Sequence, residues 1–182
     1  MKNNLLRIIG GEWRSRKLRF ADVAGLRPTP DRVRETLFNW LQTQVPGARC
    51  LDLFAGSGAL GLEALSRGAG EVVMVEKHPA AARLLRENIT LLGAQNALLL
   101  HDDAFRYLQR ETVGFDLIFL DPPFRQNLLV PVLEAIVDKG LLKTGGMIYL
   151  EQEADTTIDF ERFNLTIHRA TKAGQVQSLL LI

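Results

Sequence analysis

Four consecutive residues, Asp121-Pro122-Pro123-Phe124, offer a carboxylate, a backbone carbonyl and an aromatic face. Two prolines stiffen the backbone between them. They follow the apolar run Phe115-Asp116-Leu117-Ile118-Phe119-Leu120, which reads as a buried strand. That puts them at a strand's carboxyl end, where open α/β sheets bind ligands. The combination suits gripping a flat base with an exocyclic amino group. Asp121 and the Pro122 carbonyl would accept from its two hydrogens and Phe124 would stack on the ring. Guanine and adenine fit equally well, and a rigid turn closing the strand is the structural alternative.

A second constellation lies upstream. Leu51-Asp52-Leu53-Phe54-Ala55-Gly56-Ser57-Gly58-Ala59-Leu60-Gly61 reads as a strand, a glycine-rich turn and a helix start. Gly56 and Gly58 let the backbone bend and approach a ligand, and Gly61 permits close helix–strand packing. An acid follows twenty residues later, Glu76, placed to hold a ribose diol. The pattern alone fits any adenosine cofactor. Three features favour S-adenosylmethionine over a dinucleotide. Asp52 would repel a pyrophosphate but receive a cationic amino acid moiety. Asp103 can accept from an adenine amino group while the backbone at Ala104 reads the ring edge. No residues remain for a separate substrate domain. Phe54 and Ser57 complete the expected contact set. Asp103 would equally serve as the N-cap of the helix after it, and Glu76 as a surface acid.

These residues need a scaffold, and the chain alternates accordingly. Strands are expected near 49–54, 71–76, 97–101, 115–120 and 147–151, and helices near 58–67, 79–92, 103–110 and 127–139. This rhythm predicts a mostly parallel sheet covered on both faces. Residues 162–170 and 175–182 read as two further strands turning at Ala173-Gly174, an antiparallel closing hairpin. Ahead of all this, residues 6–9 and 17–20 form a small hairpin whose loop carries Trp13, Arg14 and Arg16. Trp13 either stacks on a base or packs on the body. Asp31 to about Gln44 reads as a helix, capped by Thr29 or Asp31, with Val33, Leu37, Trp40 and Leu41 as its apolar stripe. The expected organisation is a basic extension over 1–46 and a cofactor-binding domain over 47–182.

Composition narrows the class. With 47% hydrophobic and 24% charged residues, the 182-residue chain is expected to be an ordinary cytoplasmic globular protein and a monomer. No run approaches the ~18 apolar residues of a membrane-crossing helix, and the N-terminus has no leader pattern. A single cysteine, Cys50, excludes an internal disulfide framework and is expected to be buried. Three scattered histidines and no cysteine pair offer no metal site. Charge is unevenly placed: residues 1–49 hold ten Lys/Arg against four Asp/Glu, and residues 50–182 hold twelve against seventeen. A basic appendage on an acidic body is either a phosphate-binding face or a solvated charge-rich segment.

From end to end the chain resembles the bacterial 16S ribosomal RNA guanine-N2 methyltransferases of the RsmD type. The resemblance runs through Arg7-Ile8-Ile9-Gly10-Gly11, then Arg27-Pro28-Thr29-Pro30-Asp31-Arg32-Val33-Arg34-Glu35 and Leu37-Phe38-Asn39-Trp40-Leu41. It continues through the glycine loop to Ala64, and closes with Asp121-Pro122-Pro123-Phe124 and Gly174-Gln175-Val176. The glycine loop and Asp-Pro-Pro-Phe are common to many amino-methyltransferases, and the Arg-Pro-Thr segment with Phe-Asn-Trp is the more specific part. The resemblance implies a Rossmann-like class I S-adenosylmethionine-dependent fold and one target guanine in the small subunit or an assembly intermediate. It also implies that Phe38 and Asn39 edge the cofactor pocket. Arg14, Arg16, Arg19, Arg27, Arg32 and Arg34 are then candidates for RNA phosphate contacts. Rival expectations are an adenine-N6 or glutamine-N5 methyltransferase, and a non-catalytic RNA-binding assembly factor.

Overall fold

The computed structural model describes residues 4–182; Met1-Lys2-Asn3, the start of the expected 1–46 extension, lie outside the described residues. Two short strands come first, β1 (Leu5–Arg7) and β2 (Lys17–Arg19), paired antiparallel, followed by helix α1 (Asp31–Trp40). Strands and helices then alternate: β3 (Arg49–Asp52), α2 (Ala59–Ser66), β4 (Glu71–Glu76), α3 (Pro79–Leu92), β5 (Ala97–His101), α4 (Ala104–Arg110), β6 (Phe115–Leu120) and α5 (Leu129–Asp138). The chain closes with β7 (Leu142–Glu153), a short 3₁₀ turn (Glu161–Phe163), β8 (Ile167–Ala173) and β9 (Val176–Leu181). The expected seven-stranded sheet is present, in the order β5-β4-β3-β6-β7-β9-β8. Its first five strands are parallel, and β9 runs antiparallel between β7 and β8. Strand order reverses between β3 and β6, the crevice where such sheets take ligands.

The central strands are buried on both faces, so their residues read as continuous apolar runs. Alternate side chains feed two cores. Cys50, Val72, Met74, Leu117 and Phe119 face the side covered by the N-terminal hairpin, α1, α2 and α3. Leu51, Val73, Val75, Ile118 and Leu120 face α4 and α5. Cys50 is buried, as its place in a strand predicts.

Several local expectations change: the strand expected over 162–170 begins only at Ile167, after a 3₁₀ turn at Glu161–Phe163. α1 ends at Trp40 rather than near Gln44, and turns continue to Gly47. It starts after Pro30 with no side-chain cap, because Asp31 is drawn into ion pairs with Arg7 and Arg34. β7 begins five residues earlier than the apolar run at 147–151, since a bulge opposite Phe115–Leu117 accommodates its Gly145-Gly146 stretch. Trp13 is 8% exposed and sits in the core beneath the hairpin. The choice between stacking and packing is thus resolved toward packing. Its backbone N–H donates to Ser66 Oγ (3.0 Å), which ties the hairpin to the end of α2.

Candidate active site

A cavity of about 660 Å³ opens at the carboxyl ends of β3, β4, β6 and β7, over the point where strand order reverses. Its size suits one nucleoside-sized ligand with a second group beside it. Both constellations read from the sequence meet in its wall. Asp52, Phe54, Gly56 and Ser57 come from the end of β3 and its loop, Glu76 from β4, Asp103 and Ala104 from the start of α4. Asp121, Pro122 and Phe124 come from the end of β6. The segment Val23–Pro30, including Arg27, forms the remaining side.

The glycine loop is built by hydrogen bonds that stop short of regular structure. Ala55 N–H donates to the Val75 carbonyl (2.9 Å) and Gly58 N–H to the Ala55 carbonyl (2.7 Å). Gly56 and Gly58 take φ of 53° and 80°, a region that L side chains enter at a cost. Gly58 does not line the cavity, contrary to its expected cofactor contact. It is packed behind the loop, where an added Cβ would lie 2.4 Å from Leu85 Cδ1. Its role is to start α2. Gly61 lies against the sheet as expected: an added Cβ would come 2.8 Å from Met74 Sδ.

The acids differ in how their oxygens are used. Asp52 is 2% exposed and accepts from Gly61 N–H (2.9 Å). Loss of water around it pushes its carboxyl up to about 7, with nearby Glu76 adding to the effect. Glu76 accepts from Gly56 N–H (2.7 Å) and His78 N–H (2.6 Å), so it clamps the glycine loop while lining the cavity. Asp103 caps α4 through Oδ1, which accepts from Phe105 N–H (3.0 Å) and Arg106 N–H (3.3 Å). Its Oδ2 lies 3.8 Å from Lys77 Nζ at the rim. The capping reading is therefore realised, and the second oxygen still borders the cavity.

Asp121 is half-buried at the cavity floor, 3.5 Å from the Thr29 hydroxyl, which donates to it. Loss of water, then the charges of Glu151 and Asp52, raise its carboxyl well above the ordinary carboxylate range. Phe124 remains 39% exposed at the rim, as a ring waiting to stack would be. After it, Arg125 and Asn127 adopt positive φ (62° and 51°), and Arg125 N–H donates to Glu153 (2.6 Å), which fixes the loop against β7.

Sequence reasoning missed two residues here. Glu151, near the end of β7, and Thr29, ahead of α1, both line the cavity beside Asp121. Glu151 had a signal: it is an acid ending the apolar run of a strand, the same placement that singled out Asp121. Thr29 had none, because only the fold brings its segment across the sheet.

The cationic candidates separate. Arg14, Arg16, Arg19, Arg27 and Arg32 are exposed. Arg34 is not a surface group at all: its side chain is fully buried, and it donates to the carbonyls of Thr29 (3.1 Å) and Arg7 (2.9 Å). It pairs with Glu63 (3.3 Å) and Asp31 (2.6 Å). It cannot reach a phosphate and is withdrawn from the RNA-contact set. Phe38 and Asn39 do not edge the cavity either. Phe38 is core, its ring 6.0 Å from Phe119, and Asn39 points to solvent. Among the described residues there is no group of His, Cys, Asp and Glu able to hold a metal, and no helix long and apolar enough to cross a membrane.

Known proteins sharing this arrangement align with nearly the whole chain. A family model described as "Conserved hypothetical protein 95" matches residues 6–182. "Ribosomal RNA small subunit methyltransferase D" of Escherichia coli (strain K12) is 46% identical over 171 residues, 94% of this chain and 86% of that protein. The solved structure of the Escherichia coli yhhF protein superposes with a TM-score of 0.88 at 45% identity, covering 97% of each chain. More distantly, the methyltransferase-like SMU.776, solved with SAH, shares the fold at a TM-score of 0.71 and 18% identity, over all of this chain and 56% of its own. The match extends from the N-terminal hairpin, through the glycine loop and the Asp121–Phe124 turn, to the closing hairpin, so the chain belongs to the ribosomal RNA small subunit methyltransferase D family.

Proposed function

We propose that this protein transfers a methyl group from S-adenosylmethionine to the exocyclic N2 of one guanine in 16S ribosomal RNA. The substrate would be the small subunit or an assembly intermediate, and the enzyme would act as a monomer. One observation carries the chemical part. Three acids, Asp52, Asp121 and Glu151, line one cavity, and among the described residues none is ion-paired with a Lys, Arg or His. Uncompensated buried carboxylates are costly, and a cationic ligand relieves that cost. A pyrophosphate would make it worse.

S-adenosylmethionine fits that donor set. Asp52 faces the region of its charged amino acid moiety, Glu76 that of the ribose diol, and Asp103 with the Ala104 backbone that of the adenine edge. When bound, it supplies a methyl group on a positively charged sulfur. The chain's own residues do the rest. A guanine amino group is a weak nucleophile because its lone pair is delocalised into the ring. Asp121 and the Pro122 carbonyl accept from its two hydrogens, which favours a pyramidal nitrogen with the lone pair aimed at the methyl carbon. Phe124 stacks on the flipped-out base. Held in line, the amine needs little beyond positioning and a place for its proton, and Asp121 is the nearest acceptor. Exposed Arg14, Arg16, Arg19, Arg27 and Arg32 hold phosphates on the 1–46 face.

The name of the Escherichia coli relative supports ribosomal RNA of the small subunit; the choice of guanine over adenine rests on the family resemblance. Tritiated methyl transfer onto small subunits lacking the modification, followed by nucleoside analysis, tests both. N2-methylguanosine is expected; N6-methyladenosine, or no transfer, overturns the reading. Asp121→Ala is expected to keep cofactor binding and lose transfer; near-normal turnover would remove Asp121 from the mechanism.

A further inference from the structure

We propose that Asp121 and Glu151 form a pair that holds one proton between them, with Glu151 as a positioning residue that adjusts Asp121 for accepting the amine's proton. This rests on the methyl-transfer reading above. The fold itself places the two groups together. Leu120 of β6 pairs in parallel register with Leu150 of β7, so the next residue of each chain segment, Asp121 and Glu151, emerges side by side at the same sheet end. Both line the cavity, and Glu151 is 5% exposed. The Thr29 hydroxyl donates to Asp121 Oδ2 (3.5 Å) and lines the cavity beside both acids.

The groups packed around Glu151 bring no neutralising charge. On its own strand, the Tyr149 hydroxyl donates to Oε1 (2.8 Å). From β9 the paired residue is the uncharged Ser178. From β6 and β3 come the acids Asp121 and Asp52, and from the segment before α1 comes Thr29. Arg27 of the same segment is exposed at the rim. Two carboxylates side by side in a largely enclosed site do not both ionise readily near neutrality, and the pair titrates in separated steps. Burial moves both groups upward, and the charge of Glu151 adds to the rise at Asp121.

A singly charged pair matches the reaction's charge balance. Before transfer, one negative charge on the pair faces one positive charge on sulfur. The N–C bond forms from the amine lone pair, and the C–S bond breaks with its electrons left on sulfur. The amine's proton passes to Asp121. The pair now holds two protons and no charge, and the sulfur is neutral. A doubly ionised pair would keep a stranded negative charge in the emptied site. Release of the extra proton to water after product departure resets the pair.

The test uses the full-length protein. In the wild type, ¹³C-carboxyl NMR is expected to show Asp121 and Glu151 titrating together in two separated steps, one well above the ordinary carboxylate range. Asp121→Asn or Glu151→Gln should each collapse the remaining carboxyl to a single lower step. In the rate profile, the loss of kcat that follows release of the pair's last proton should disappear in Glu151→Gln, with affinity for S-adenosylhomocysteine retained and the wild-type profile restored in Glu151→Asp. Two independent wild-type titrations in the ordinary carboxylate range, or a high-pH loss of kcat that persists unmoved in Glu151→Gln, overturn the proposal. If Glu151→Gln does not fold, the wild-type titration decides alone. Failure of guanine methylation by the wild type would sink the functional reading instead, and the NMR result would still stand on its own.

Discussion

Arg34 of α1 and Glu63 of α2 form an ion pair with both side chains out of water, 3.3 Å apart. Glu63 also accepts from the backbone N–H groups of Ile9 (2.9 Å) and Gly10 (2.7 Å), and from Arg67 (2.8 Å). One carboxylate thus ties the N-terminal hairpin, α1 and the helix that begins at the glycine loop. The mechanical base of the proposed RNA-binding face is therefore also the base of the cofactor loop.

Breaking that pair leaves a buried charge partly uncompensated. Arg34→Ala is expected to lower the unfolding free energy by about 3 kcal/mol in urea titrations, with the salt slope of RNA binding unchanged. A phosphate-contacting arginine would give the reverse pattern, a smaller salt slope with stability intact.

Three exposed hairpin arginines should behave in that reverse way. Substituting Arg14, Arg16 and Arg19 together by Ala is expected to reduce the slope of log affinity against log salt by about 2–3 for a small-subunit RNA fragment. The unfolding midpoint should shift little, since each exposed site is worth about 0.5 kcal/mol or less. An unchanged slope would remove the hairpin from the RNA interface.

Asp52 makes the ligand-free protein sensitive to pH. Its carboxyl is pushed up to about 7 in the folded state, against about 3.9 in an unfolded chain. Folding therefore takes up a proton between those values. The contribution to stability is fully present below about pH 4, and is lost as pH rises toward 7, at a cost of a few kcal/mol. Asp52→Asn is expected to flatten this decline, so that the ligand-free variant at pH 8 resists urea better than the wild type. S-adenosylmethionine affinity should fall at the same time. A wild type as stable at pH 8 as at pH 5 would contradict the buried acid.

Gly58 has no room for a side chain. Gly58→Ala meets both a positive φ of 80° and a Leu85 methyl carbon 2.4 Å away. It is expected to cost about 2–4 kcal/mol and to weaken cofactor binding, measured by calorimetry, although Gly58 does not touch the cavity. Gly56→Ala meets only ordinary van der Waals neighbours at 3.7 Å and beyond, so its effect on stability should be smaller.

Much of the architecture was legible in the chain because it depends on contiguous residues. The apolar runs at Cys50–Leu53, Val72–Val75 and Phe115–Leu120 match strand lengths, and the intervening amphipathic stretches match helices. The glycine loop and Asp121–Phe124 announced themselves for the same reason: each is a short segment with its own backbone requirement. All four acids expected at the ligand, Asp52, Glu76, Asp103 and Asp121, line one cavity, because each lies at or just beyond the carboxyl end of a parallel strand and parallel strands share one end.

Tertiary structure alone decided what depends on segments far apart in the chain. Arg34 and Arg32 are two residues apart and alike in sequence, yet one is buried against Glu63 and the other exposed. The difference is the face of α1 that meets α2. Trp13 became core because the hairpin folds down onto α2. Glu151 joined Asp121 through the β6–β7 register, and Thr29 reached Asp121 across 92 residues of chain. Local sequence fixes what a segment can form, since backbone preference and periodicity act over a few residues. Which charge is neutralised, buried or left facing a ligand is set by the partner that the fold brings to it.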